Sequence, residues 1–137
     1  MTPYSVEVLD HFRAPRNAGR LPADAEDVGT GDVTDAAGKR LRLQLRTDAR
    51  GRVTDARFKA FGCPVTIACG SWATLALIGR TLQETRQVDA ARIARELGLR
   101  VEQLPLADAA VGAIRAAVAE VSRKRRRSAP QTYPNGL

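Results

Sequence analysis

The chain has 137 residues but only two cysteines, one histidine and one tryptophan, and aromatics make up 4% of it. Each scarcity excludes something. Two thiols are too few for the disulfide framework of a small secreted domain, so a reducing compartment, the cytoplasm, is expected. Cys63 and Cys69 lie six positions apart, which is neither a Cys-x-x-Cys redox pair nor zinc-finger spacing. His11 has no nucleophile near it in sequence and no Gly-x-Ser-x-Gly is present, so triad catalysis has no support. Gly29, Thr30 and Gly31 are not followed by the Gly-Lys-Ser/Thr of a phosphate loop. The chain therefore reads as no enzyme. No window approaches the roughly 18 apolar residues of a membrane span. The first residues lack the basic and apolar regions of a secretory signal.

One abundance needs the same scrutiny. The formal charge is +7, yet Arg123, Lys124, Arg125, Arg126 and Arg127 supply most of the excess, and without them 17 basic residues face 15 acidic ones. The run reads as a solvated charged tail. Nucleic-acid binding would need aromatics beside the charge or a known module, so it is not the expected role.

What is present is patterned. "YSVEVLDHFR" places Val8, Leu9 and Phe12 at helical spacing. "APRNAGRLPADAEDVGTG" reads as an ordered loop or a flexible arm. "KRLRLQLRTD" alternates Leu41, Leu43 and Leu45 with Arg40, Arg42, Gln44 and Arg46, the mark of a half-buried antiparallel strand whose second face stays polar. A turn at Asp48–Gly51 returns it as "RVTDARFKAF", and "DVGTGDVT" supplies a third strand. "VTIACGSWATLALIG" is apolar nearly all round, as a buried helix should be. A short turn at "TLQET" follows, then a helix from N-cap Asp89 to Gly98. A long amphipathic helix, "PLADAAVGAIRAAVAEVSRKRRR", opens at Pro105, runs through the basic residues and carries Leu106, Ala110, Val111, Ile114, Ala117, Val118 and Val121. Strands followed by helices predict an α+β fold, a small three-stranded antiparallel sheet with helices packed on one face. The expected domain is 1–127, with a disordered tail at 128–137.

Several stretches together resemble the U-type iron–sulfur cluster scaffold family (IscU/NifU-like). Tyr4, Asp10, His11, Phe12, Pro15, Arg16, Asn17 and Gly19 match its N-terminal signature, "VGTG" at 28–31 its Val-Gly-x-Gly, and "DARFKAFGC" at 55–63 the segment ending in a ligand cysteine. "IGRTLQE", "IARELGL" and "AIRAAV" echo later helical segments, so the likeness covers about residues 4–126. It implies a [2Fe–2S] cluster, iron or zinc held by three cysteines, an Asp and a His, on a protein that works with a cysteine desulfurase or other assembly proteins. It also implies partner contacts through Tyr4, Arg16 and Asn17.

Carried over residue by residue, the ligand set is incomplete. Only Cys63 matches. Ala37 stands at the first cysteine, Lys39 at the aspartate, and Pro105 and Leu106 at the His-Cys pair; of the chaperone-recognition stretch "LRVEQ" keeps only Leu99. A cation at 39 would repel Fe²⁺, and a cluster needs about four soft donors. Cys69 is either a second, weaker donor or a small core residue. His11 reads as structural. Two functions remain open. One is a scaffold that completes its shell between chains, as a homodimer using Cys63 and Cys69 of each copy, or with a small thiol. The other is a degenerate scaffold that binds no metal and acts as a partner-binding or regulatory module, for example on a cysteine desulfurase.

Overall fold

The computed structural model describes residues 3–128, so the tail expected at 128–137 lies outside the described residues except for Ser128. Helix α1 (Val6–Arg13) precedes three strands, β1 (Val28–Thr34), β2 (Arg40–Thr47) and β3 (Val53–Phe61). Helices α2 (Pro64–Leu77), α3 (Leu82–Thr85), α4 (Ala90–Leu97) and α5 (Leu104–Ser128) follow, with a 3₁₀ turn at Val101–Gln103. The strands pair antiparallel in the order β1-β2-β3, as expected from the two-residue period. Leu41, Leu43 and Leu45 on β2 are buried with their β3 neighbours Ala56 and Phe58, and α2 and α5 cover that face.

The expected stops and starts hold for local reasons. Ser5 Oγ accepts the Val8 N–H at 2.9 Å and caps α1. Thr81 and Glu84 form a capping box on α3, and Asp89 caps α4, which ends at Gly98 with φ 62°. Asp48 Oδ1 accepts the N–H groups of Arg50 and Arg52 and closes the β2–β3 hairpin.

Glycine sets the distance between sheet and long helix. A methyl group at Gly31 would collide with the carbonyl oxygen of Ala113, and one at Gly29 with that of Ala117. The backbone of α5 thus lies directly on β1, with Ala110, Ala113 and Ala117 as the small residues of the contact. Gly29 meets Ala117 and Val121, Gly31 meets Ala113, and Gly112 faces Val33, so α5 runs antiparallel to β1. Its first turn reaches the end of the sheet where β1 passes into β2.

Of the two readings open for the segment after α1, the ordered loop holds: residues 14–27 form a strap. Phe58 N–H donates to Asn17 O (3.1 Å) and Gly19 N–H to Phe58 O (2.9 Å), and the strap then crosses the sheet's outer face at Leu21. There the outer face is not wholly polar and open. Gln44 is 2% exposed, accepting the Leu21 N–H at 2.8 Å and donating to Leu21 O and Thr30 Oγ1. A buried amide is tolerable because the strap satisfies it.

The basic run forms the last turns of α5, as the long helical pattern expected, but it is not a solvated tail, since Lys124 and Arg125 are tied to the strap and hairpin. Lys124 Nζ donates to Ala23 O, Ala25 O and Val28 O at 2.8–3.0 Å and lies 3.6 Å from Glu120. Arg125 holds Asp48 O and Ala49 O in the hairpin, and Arg127 and Ser128 reach Glu26. In α1, Val8 is buried but Phe12 stays 40% exposed, because His11 takes the inward position of the last turn.

Losing three carbonyl bonds to an ammonium should be measurable. Lys124→Met is expected to lower unfolding free energy by about 1–3 kcal/mol in urea titrations. Arg123→Ala, on the exposed side of the same turn, should stay within about 0.5 kcal/mol.

Candidate functional site

Chain direction decides which loops meet. The pairs Thr34↔Arg40 and Arg40↔Phe61 place the β1–β2 turn, Asp35–Lys39, and the exit of β3 at one end of the sheet. The start of α5 lies at the same end. Ala37, Lys39, Cys63, Pro105 and Leu106 therefore come from three segments at that end of the sheet.

Within that end, Asp35 Oδ1 accepts the N–H groups of Ala37 (2.9 Å) and Lys39 (2.8 Å), and Gly38 has φ 84°. This Asx turn leaves Ala37 exposed and sends the stem of Lys39 over Gly62. Gly62 has φ 151°, and a methyl group there would meet Lys39 Cγ at 3.0 Å and Thr66 Oγ1 at 2.9 Å. Glycine is what lets the chain turn from β3 into α2 against these neighbours.

Cys63 is the N-cap of α2, followed by Pro64 at the first helical position. It is half-buried, with Sγ 3.6 Å from Thr66 Oγ1. Partial burial opposes ionisation. The Thr66 hydroxyl, the N–H groups of Thr66 and Val65 and the Lys39 charge outweigh it, so the thiol is held below its ordinary value. The cation expected to repel metal therefore also favours the thiolate.

Cys69 is different. It is 1% exposed among the core side chains, and burial followed by the charge of Cys63 pushes its thiol up to about 12. A neutral, enclosed thiol is no ready donor, so of the two alternatives the structure supports the core one. Pro105 is exposed and Leu106 packs against the core at the start of α5. Neither Ala37, Pro105 nor Leu106 carries a donor side chain. Among the described residues no group of three or more His, Cys, Asp or Glu is placed to hold a metal ion.

The N-terminal signature does internal work. His11 Nδ1 lies 2.7 Å from Ser71 Oγ, which also accepts the Arg16 N–H at 2.9 Å. Arg16 pairs with Asp10 at 2.9 Å. Asn17, at φ 62°, donates to Thr74 Oγ1 and accepts from Arg57, and Tyr4 packs partly buried against the core. The polar groups of Arg16 and Asn17 expected to meet a partner are engaged in pinning α1 and the strap to α2 and β3. Pattern reading missed Ser71, Thr74 and Lys39's packing, since these partners sit far away in sequence.

Fold and site together define an α+β domain with one part-buried free thiol, Cys63, at the end of a three-stranded sheet. Residues 3–128 match the family described as NifU-like N terminal domain, and the chain belongs to that family. It is 42% identical over 123 residues to the iron-sulfur cluster assembly scaffold protein IscU of Azotobacter vinelandii, covering 89% of this chain and 96% of that protein. IscU of Escherichia coli K12 is 37% identical with the same coverage. The crystal structure of a NifU-like N-terminal protein from Brucella abortus shares the fold, with a TM-score of 0.62 at 20% identity over 91% of this chain and 95% of that one.

Two titrations follow. Iodoacetamide should modify Cys63 with a midpoint below the ordinary thiol range, while Cys69 reacts only on unfolding; mass spectrometry of peptides against pH reads both. His11 is held below its usual value by burial, then by Arg16, against a smaller pull from Asp10. The unfolded chain then binds the extra proton first. The contribution of neutral His11 is complete above about pH 6.5 and falls as pH drops below it. His11→Gln should flatten that acid-side slope in urea midpoints.

Proposed function

We propose that this chain serves iron–sulfur cluster assembly as a scaffold, with a binding and hand-over role and not an enzymatic one. The observation that carries the reading is Cys63, a thiolate-prone donor at the family's ligand position, displayed at the end of a domain whose whole described length belongs to the NifU-like N-terminal family. Thiolate is the soft ligand that such cargo requires, and about four such positions are needed. With Ala37, Lys39 and Leu106 at companion positions, the cargo, a [2Fe–2S] cluster, iron or zinc, takes its remaining donors from outside this chain. A second copy or a small thiol supplies them. A cysteine desulfurase or another assembly protein is the partner this role calls for. Free thiols suit the cytoplasm, and among the described residues no helix is long and apolar enough to cross a membrane.

The cation beside Cys63 favours one second reading, in which the chain carries no metal and acts as a binding or regulatory module on a desulfurase. Anaerobic reconstitution with Fe²⁺, sulfide and a small thiol separates the two. The scaffold reading predicts visible charge-transfer absorption that survives Cys69→Ser and disappears in Cys63→Ser. Combined Ala37→Cys, Lys39→Asp and Leu106→Cys should retain the chromophore after the small thiol is removed. Absorption that is absent, or indifferent to Cys63, overturns the scaffold reading.

A further inference from the structure

The outer face of the sheet beside Cys63 carries charges that the fold does not use. By register, Arg42 faces Lys59 and Arg40 faces Phe61. Asp32 ties up Arg40 and Arg42 with contacts of 2.6–3.1 Å. Among the described residues Lys59 and Arg20 join no ion pair. These two cations form the rim of a groove of about 480 Å³ between the strap, β3 and α2, floored by Ala18, Phe58 and Ile67. A smaller hollow of about 210 Å³ shares Lys59 and Ala60 and adds Phe61, which is 75% exposed.

The groove also has a polar wall. Phe58 turns both its N–H and its C=O away from β2, toward Asn17 and Gly19 of the strap. Alternation along an antiparallel strand gives Ala60 the same outward direction. The strap has left the edge by then, because the Leu21 N–H goes to Gln44 Oε1 instead of to Ala60. The peptide groups of Ala60 thus open onto the groove beyond the end of the strap. Apolar floor, cationic rim and a short free strand edge occur together.

We propose that this groove is the docking site for an extended acidic segment of a partner protein, which adds as a short strand to the β3 edge beyond the strap. Its backbone pairs with Ala60, one apolar side chain enters between Ala18, Phe58 and Ile67, and carboxylates on the flanking positions meet Arg20 and Lys59. Strand addition supplies affinity and the alternate pockets supply selectivity. Nucleic acid fits this surface less well, since a phosphate backbone uses neither the apolar floor nor the peptide edge. The inference goes beyond cluster assembly and needs neither Cys63 nor any cargo.

The test titrates the isotopically labelled full chain with a short peptide of alternating glutamate and valine, read by amide chemical shifts. The expected shifts gather at Ala18–Arg20 and Phe58–Gly62, with binding that weakens as salt rises. Lys59→Glu combined with Arg20→Glu should lower affinity at least about tenfold, a loss of roughly 1.4 kcal/mol. Retained amide dispersion shows that this double variant is folded. A peptide N-methylated at its centre, which leaves the protein untouched, should also lose binding. Shifts elsewhere, equal affinity in the double variant, indifference to N-methylation, or equal binding of a single-stranded oligonucleotide each overturn the proposal.

Discussion

Helix α5 rests on β1 at a separation that only glycine at positions 29 and 31 permits, and the arrangement of the molecule depends on that seat. Ala113 and Ala117 bring their backbone carbonyls to where side chains of β1 would otherwise stand. The contact is between backbones, so it defines the helix's height, direction and register on the sheet more tightly than interleaved long side chains would. Running antiparallel to β1, α5 then has two ends with different jobs. Its last turns lock the strap and the hairpin through Lys124 and Arg125. Its first turn is delivered to the end where the Asp35–Lys39 turn and Cys63 meet.

That division separates an end tied down by hydrogen bonds from the end that carries Cys63. At the Cys63 end stand the Asx turn, Gly62 and the α2 N-terminus, with Ala37, Pro105 and Leu106 offering no donor side chain. Cys63 is left with a hydroxyl, two amides and a cation around it. These stabilise negative charge on sulfur, which serves metal ligation and other thiolate chemistry alike. Lys39 is the residue on which the two functional readings divide. Its charge helps the thiolate form and discourages a free divalent ion.

Elements with a local cause were legible in the sequence. The leucines of β2 report their face by alternation, and Ser5, Thr81, Asp89 and Gly98 announce helix ends through short-range hydrogen bonds. What escaped was long-range. Gln44 reads as an outward polar residue until Leu21 covers it, and Lys124 reads as solvated until three carbonyls from residues 23–28 surround it. The resemblance implied partner contacts at Tyr4, Arg16 and Asn17. Within the fold, His11, Arg16 and Asn17 also answer Ser71, Thr74 and Arg57, positions that spacing along the chain cannot bring near. At the site, resemblance pointed to Ala37, Lys39, Pro105 and Leu106 as ligand positions, and the sequence left Cys69 open between donor and core. Burial decides it, and burial is a property of the packed molecule.

The seat of α5 on β1 is tested most directly by a matched pair of glycine substitutions across it. Gly31 faces the Ala113 carbonyl, whereas a methyl group at Gly112, on the helix side, would sit 3.5 Å from Val33 Cγ2 in ordinary contact. Urea unfolding of Gly31→Ala should show a loss of about 1–3 kcal/mol or more from overpacking. Gly112→Ala should be neutral or gain up to about 1 kcal/mol from helix propensity. Equal effects of the two substitutions, or an undiminished stability in Gly31→Ala, would contradict the account.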